Sequence, residues 1–117
     1  GRARVLFGSC NIPGAPQPLW EHVLARGPDL WIWAGDNIYA DIHRGLELFP
    51  TPRTRFDPAP PGRLRALYDL QLREPGYRRL LNSSVPMVAT WDDHDFGIND
   101  GDRTYPWRNE SQASATP

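Results

Sequence analysis

The sequence contains no lysine, and it has one cysteine and one methionine in 117 residues. All thirteen basic residues are therefore arginines, and they are dispersed along a chain of net charge -1. Without a basic block there is no footprint for a nucleic-acid backbone, which demands clustered positive charge. The lysine gap itself reads as a compositional bias and carries no mechanism. A lone cysteine, Cys10, excludes an internal disulfide framework and leaves the redox compartment unread. No apolar run approaches the roughly 20 residues that span a bilayer. The chain does not open on Met, a charged segment or a signal-like apolar stretch, so it reads as beginning inside a longer protein, with export neither supported nor excluded.

What is present argues for a folded chain. Hydrophobic residues make up 39% and aromatics 11%, enough for one modest core or part of a larger one, while thirteen prolines predict long irregular connections. Ala3 to Gly8 is a short apolar run and predicts a first strand, ending in Ser9, Cys10 and Asn11. Pro18 to Arg26 places Leu19, Trp20, Val23 and Leu24 on one helical face, and Gly27 with Pro28 stops it. The next run, Leu30 to Ala34, is apolar without alternation, which predicts a second strand covered on both faces, as in a parallel sheet. It breaks into Gly35, Asp36, Asn37, Tyr39 and Asp41. Residues 42–62 carry five prolines and read as an exposed excursion or a lid. Helical spacing from Arg63 to Asn82, interrupted at Glu74, Pro75 and Gly76, predicts two helices or one broken helix. Val85 to Trp91 predicts a third strand running into Asp92, Asp93, His94 and Asp95, and beyond Gly97 the chain is polar and turn-rich with no further strand.

Strands joined by helical crossovers lie parallel, so their C-terminal ends share one edge, and that is where open α/β sheets place ligands. Here the edge gathers Cys10 and Asn11, Asp36 and Tyr39, and Asp92 to Asp95. Clustered carboxylates repel one another unless a cation lies among them, so the pattern points to metal. Carboxylates suit hard cations and a thiolate suits transition metals, so the mixed set suggests two different ions. Tyr39 as a phenolate requires a strong Lewis acid, because a free tyrosine has a pKa of about 10.

Bland alternatives stand beside these readings. Cys10 reads equally as a small buried hydrophobe, and Tyr39 as a core cap with its hydroxyl on a backbone group. Trp20, Trp31, Trp33 and Trp91 read as core, His22 as a surface residue, and His43 is undecided. Asp41 reads as a cap, and Asp100 and Asp102 as turn residues that Arg103 pairs with.

Taken together, GSCN at 8–11, WAGDNIYAD at 33–41 and TWDDHDFGINDGD at 90–102 closely resemble the PhoD-like, or alkaline phosphatase D, family of metallophosphatases. LYDLQLREPGYRRLL and RTYPWRNESQ resemble it too, so the likeness covers most of the chain. It implies membership of the calcineurin-like superfamily, an α/β fold in which this chain is the N-terminal half of a four-layer α/β/β/α sandwich, with parallel βαβ units and the site at the strand C-terminal ends. It further implies that Cys10, Asp36 and Tyr39 bind ferric iron (Fe3+), that Asp36 bridges to calcium (Ca2+), with other divalent metals as substitutes, and that Asp93 or Asp92 ligates metal. His94 is then the catalytic histidine, and Asn11, Asn37 and Asp95 are candidates for support or substrate contact. The superfamily's usual Asp-x-His after the first strand is missing, and Cys10 stands in that region, as in PhoD-like members.

The implied activity is hydrolysis of a small-molecule phosphoester by metal-activated water, and the resemblance leans toward an extracytoplasmic location. Further ligands are expected from a second half of the sheet, so this segment alone is expected to be inactive or weakly metal-binding and to expose apolar surface. One alternative is a non-catalytic calcium-binding structural module, although Phe96 and Ile98 fall where EF-hand ligands belong before Gly101. Another is a calcineurin-like phosphodiesterase or nuclease sharing the metal chemistry.

Overall fold

A computed structural model describes residues 1–42 and 55–115. Three strands, β1 (Val5–Gly8), β2 (Leu30–Ala34) and β3 (Met87–Thr90), form a parallel sheet in the order β1-β2-β3. Between them run α1 (Leu19–Ala25), α2 (Pro61–Leu72) and α3 (Pro75–Leu81), followed by α4 (Asp93–Phe96) and α5 (Arg108–Ala115). The chain is thus α/β with the expected parallel crossovers. Val5 pairs with Leu30 and Phe7 with Ile32, while Trp31 pairs with Met87 and Trp33 with Ala89. All three strands therefore end at one edge.

Each boundary has a local cause. Pro18 precedes α1 with its ring already fixing a helical φ of -68, and Gly27 at φ 55 turns the chain out of it. The long helical pattern is two helices, as its interruption suggests. Glu74 is extended and accepts from the Tyr77 amide at 2.5 Å, and Pro75 opens α3 at a position where no N–H is needed. β3 starts at Met87 because Pro86 has no amide to give, and it contributes only its carbonyl, to Trp31 N–H at 3.0 Å. The single-turn α4 forms where β3 runs into Asp92 to Asp95, and the polar α5 lies in the tail expected to be turn-rich. In α4 the signal is a capping box, in which the Asp92 side chain and Asp95 serve each other's backbone. In α5 the buried position is Ser111, so no apolar stripe marks it.

The core lies on one face of the sheet. Trp20 and Val23 of α1 and Tyr77 and Leu80 of α3 close over Trp31 and Trp33 of β2. The three tryptophans meet edge to face with ring centroids 5.2 to 5.5 Å apart, and each such pair is worth about 1 kcal/mol beyond its area. Trp33 donates from its indole to the Tyr77 hydroxyl at 3.0 Å. The opposite face does not follow the expectation of two covered faces. Phe7 is 75% exposed and Val88 51% exposed, because among the described residues the helices pack on the other side. Trp91, expected in the core, is 46% exposed at the end of β3, where it stacks on Phe96 with centroids 5.7 Å apart. The exposed apolar surface anticipated from the sequence is this sheet face. A second small cluster, Ile38, Ala40, Ala59 and Leu64, seats α2 on the segment leaving β2. His43 and most of the proline-rich excursion fall outside the described residues.

Candidate metal and catalytic site

The exits of the three strands interlock through backbone. Gly35 takes φ 95, and a Cβ there would lie 2.9 Å from that of Asp92, so only glycine allows β2 and β3 to deliver their ends side by side. Asp36 (φ 50) and Cys10 (φ 57) also occupy the left-handed region, at a cost of roughly 1–2 kcal/mol each for an L-residue. The Asn11 amide donates to the Asp36 carbonyl at 2.8 Å, tying the two strained turns together.

Asp36 is the meeting point. Its Oδ2 accepts from the Tyr39 hydroxyl at 3.0 Å and lies 3.8 Å from the Cys10 thiol. Ligand atoms of Asp36, Asp93 and His94 lie within 4.8 Å of one another. Asp92 is outside that group; its Oδ1 accepts from the Asp93 amide and caps α4. Cys10 is exposed, which removes the reading of a buried hydrophobe, and the Tyr39 hydroxyl rests on a carboxylate rather than on backbone.

His94 is buried and held from three sides. Nδ1–H donates to both oxygens of Asp41 at 2.9 Å, and the Tyr39 and Phe56 rings lie 4.3 and 5.2 Å from the imidazole. Asp41 has no solvent exposure and also accepts from the Asn99 amide at 2.7 Å. Reading Asp41 as a cap missed this role, since its partner lies 53 residues away and no local pattern links them. Asp95 turns inward as well. It accepts from the amides of Asn37, Ile38 and Asp92 and from the Tyr68 hydroxyl, which makes it the clamp between the β2 and β3 exits. Asn37 braces the same junction by donating to the Thr90 carbonyl at 2.9 Å. Asn11 reaches back to Asn37 and to Gln71. Asp102 serves its own turn by accepting from Thr104, as expected.

The electrostatics follow from burial and crowding. Burial pushes the Asp36 carboxyl above its ordinary value; the Tyr39 bond and the His94 charge oppose this, while Asp93 and Asp92 add to it. Tyr39 is pushed well above an ordinary phenol by burial and by its anionic neighbours. Burial alone would lower His94, but the bond and charge of Asp41 outweigh it, and the net shift is upward. The Oδ1 atom of Asp36 is buried with no hydrogen-bond partner. An orphaned carboxylate oxygen costs about 1–3 kcal/mol, and a cation seated beside Asp36 and Asp93 would remove that cost. The donor set fits a metal ion.

These features define an α/β protein with an acidic, metal-capable site at the ends of parallel strands. The family model described as PhoD-like phosphatase matches residues 6–112, and the chain belongs to that family. No match exists among the curated proteins or the solved structures compared. A phosphatase-type, hydrolytic function follows in general terms from membership.

Proposed function

We infer that the protein hydrolyses small-molecule phosphoesters with metal assistance. Asp36 would be shared between two ions, with Cys10 and Tyr39 beside it on a ferric ion and Asp93 toward a calcium ion. The observation that carries this reading is the Asp36 carboxylate, whose Oδ1 is buried without a partner while its Oδ2 meets Tyr39, with ligand atoms of Asp93 and His94 close by. When bound, the cations supply Lewis-acid neutralisation of the phosphoryl oxygens and activate water. The raised pKa of Tyr39 means that only a strong Lewis acid would bring it to the phenolate, which favours ferric iron there.

The chain's own residues supply orientation and a proton. Asp41 fixes the His94 ring through Nδ1, which leaves Nε2 to point a proton at the leaving oxygen. Burial lowers the His94 pKa, the Asp41 bond and charge raise it, and the net direction is upward. Asp95 and Asn37 hold the two exits in register so that Asp36 and Asp93 share one space. On this reading the sheet is the first half of a four-layer α/β/β/α sandwich, with the face of Val5, Phe7 and Val88 turned toward a second sheet.

Substitution at two positions tests the assignment. Asp36→Ala is expected to lose metal and phosphate release together. His94→Ala is expected to keep its metal, measured by elemental analysis, and to lose about 100-fold or more in turnover. Normal turnover in that variant would sink the proton-donor role, and loss of metal would make His94 a ligand instead.

A further inference from the structure

Behind the strand exits lie three buried amides, Asn11, Gln17 and Gln71, at 9%, 8% and 5% exposure. Gln71 Oε1 accepts from Asn11 Nδ2 at 2.9 Å and from Gln17 Nε2 at 2.8 Å. Its own Nε2 donates to Gln17 Oε1 at 2.9 Å, and that oxygen also accepts from the Trp20 indole at 2.6 Å. The relay is therefore anchored in the tryptophan core. At its other end Asn11 Nδ2 donates to the Asn37 carbonyl at 3.1 Å.

What the relay holds is specific. Asn11 follows Cys10 and Asn37 follows Asp36, and these two ligand candidates carry the left-handed backbone at φ 57 and φ 50. Non-glycine residues keep such conformations only where their surroundings over-determine them. The Asn11 side chain ties the residue after one strained turn to the residue after the other, and Gln71 sets where that side chain lies. A buried amide relay stiffens its surroundings only when each member is satisfied, and these three share their donors and acceptors closely.

The geometry points to Gln71 as a positioning residue of the metal centre, one that acts through Asn11 to fix the spacing of Cys10 and Asp36 and hence their affinity for a metal ion. The inference rests on the proposed reading that those two side chains are ligands. Cobalt(II) titration of the full chain against a competing chelator tests it, with the thiolate-to-cobalt absorption reporting Cys10. Gln71→Leu, which keeps the bulk and removes the acceptor, is expected to bind cobalt roughly 10- to 100-fold more weakly and to lose that absorption. Gln71→Glu keeps an acceptor oxygen for Asn11 and Gln17 and is expected to restore most of both.

Unchanged affinity and absorption in folded Gln71→Leu would overturn the inference, as would a folded Gln71→Glu that behaves like Gln71→Leu. If Gln71→Leu does not fold, Asn11→Ser cuts the same link from the other end and must weaken cobalt binding; unaltered binding there overturns it equally. Wild-type protein that binds no cobalt would instead refute the metal reading beneath it, a separate result from either of these.

Discussion

Replacing Asp95 with alanine removes the clamp between two strand exits, and the structure sets the size of the loss. The carboxylate is fully buried and accepts from Asn37 N–H at 2.9 Å and from Ile38 N–H, Asp92 N–H and Tyr68 O–H at 3.1 Å each. A fifth donor, Asn37 Nδ2 at 3.3 Å, also bonds the Thr90 carbonyl, so four donors are left without that acceptor, at about 1.5 kcal/mol apiece or about 6 kcal/mol together. Removing the carboxylate also removes the cost of keeping a polar group out of water, on the order of 2 kcal/mol. A net loss of about 4 kcal/mol remains, which places Asp95→Ala among the exceptional single substitutions. For a chain of this size it corresponds to a fall of roughly 15 °C in Tm. Thermal unfolding followed by circular dichroism, in chelator so that metal does not contribute, reads it directly. A fall under about 4 °C would refute the clamp. Asp95→Asn keeps one acceptor oxygen and is expected to fall between wild type and alanine.

Two more predictions follow from backbone geometry and from ionisation. Gly97 takes φ 128, and a Cβ there would collide with the Tyr105 hydroxyl, which is itself bonded to the Ala59 carbonyl. Gly97→Ala is expected to cost about 3 kcal/mol or more, measured by denaturant unfolding; a neutral substitution would mean that Tyr105 is not fixed there. Asp36 and Asp95 both have folded pKa values above the ordinary 3.8, and His94 has one above 6.5. The metal-free folded state therefore holds protons that the unfolded chain releases. The carboxyl contributions are fully present below pH 3.8 and are lost as pH rises through the raised values, and the His94 contribution is lost in the same sense above 6.5. Tm in chelator should fall as pH rises across this range, and Asp36→Asn should flatten the carboxyl part; a rising Tm would contradict the assignment.

How much of this could be read from the residues alone depends on whether the signal is local. The runs at Val5 to Gly8, Leu30 to Ala34 and Met87 to Thr90 each end in polar residues, and that is enough to specify a parallel sheet with a ligand edge. Pro75 and Glu74 announce the helix break for the same local reason. Asp41 and Asp95 carry no such mark. Each is one acid among several, and burial distinguishes them only after residues more than 50 positions away have folded against them. Gln17 and Gln71 are ordinary helix-compatible residues until their side chains meet. The open sheet face reverses a correct local reading, since Ile32 and Phe7 are apolar on the side where no described element packs.

Elemental analysis of the purified full chain, paired with phosphate release from a monoester and a diester, tests the central claim most directly. Iron and calcium bound together, with phosphate released and both properties lost in Asp36→Ala, is the predicted result. Calcium bound without turnover would contradict it and leave a structural calcium-binding module in its place.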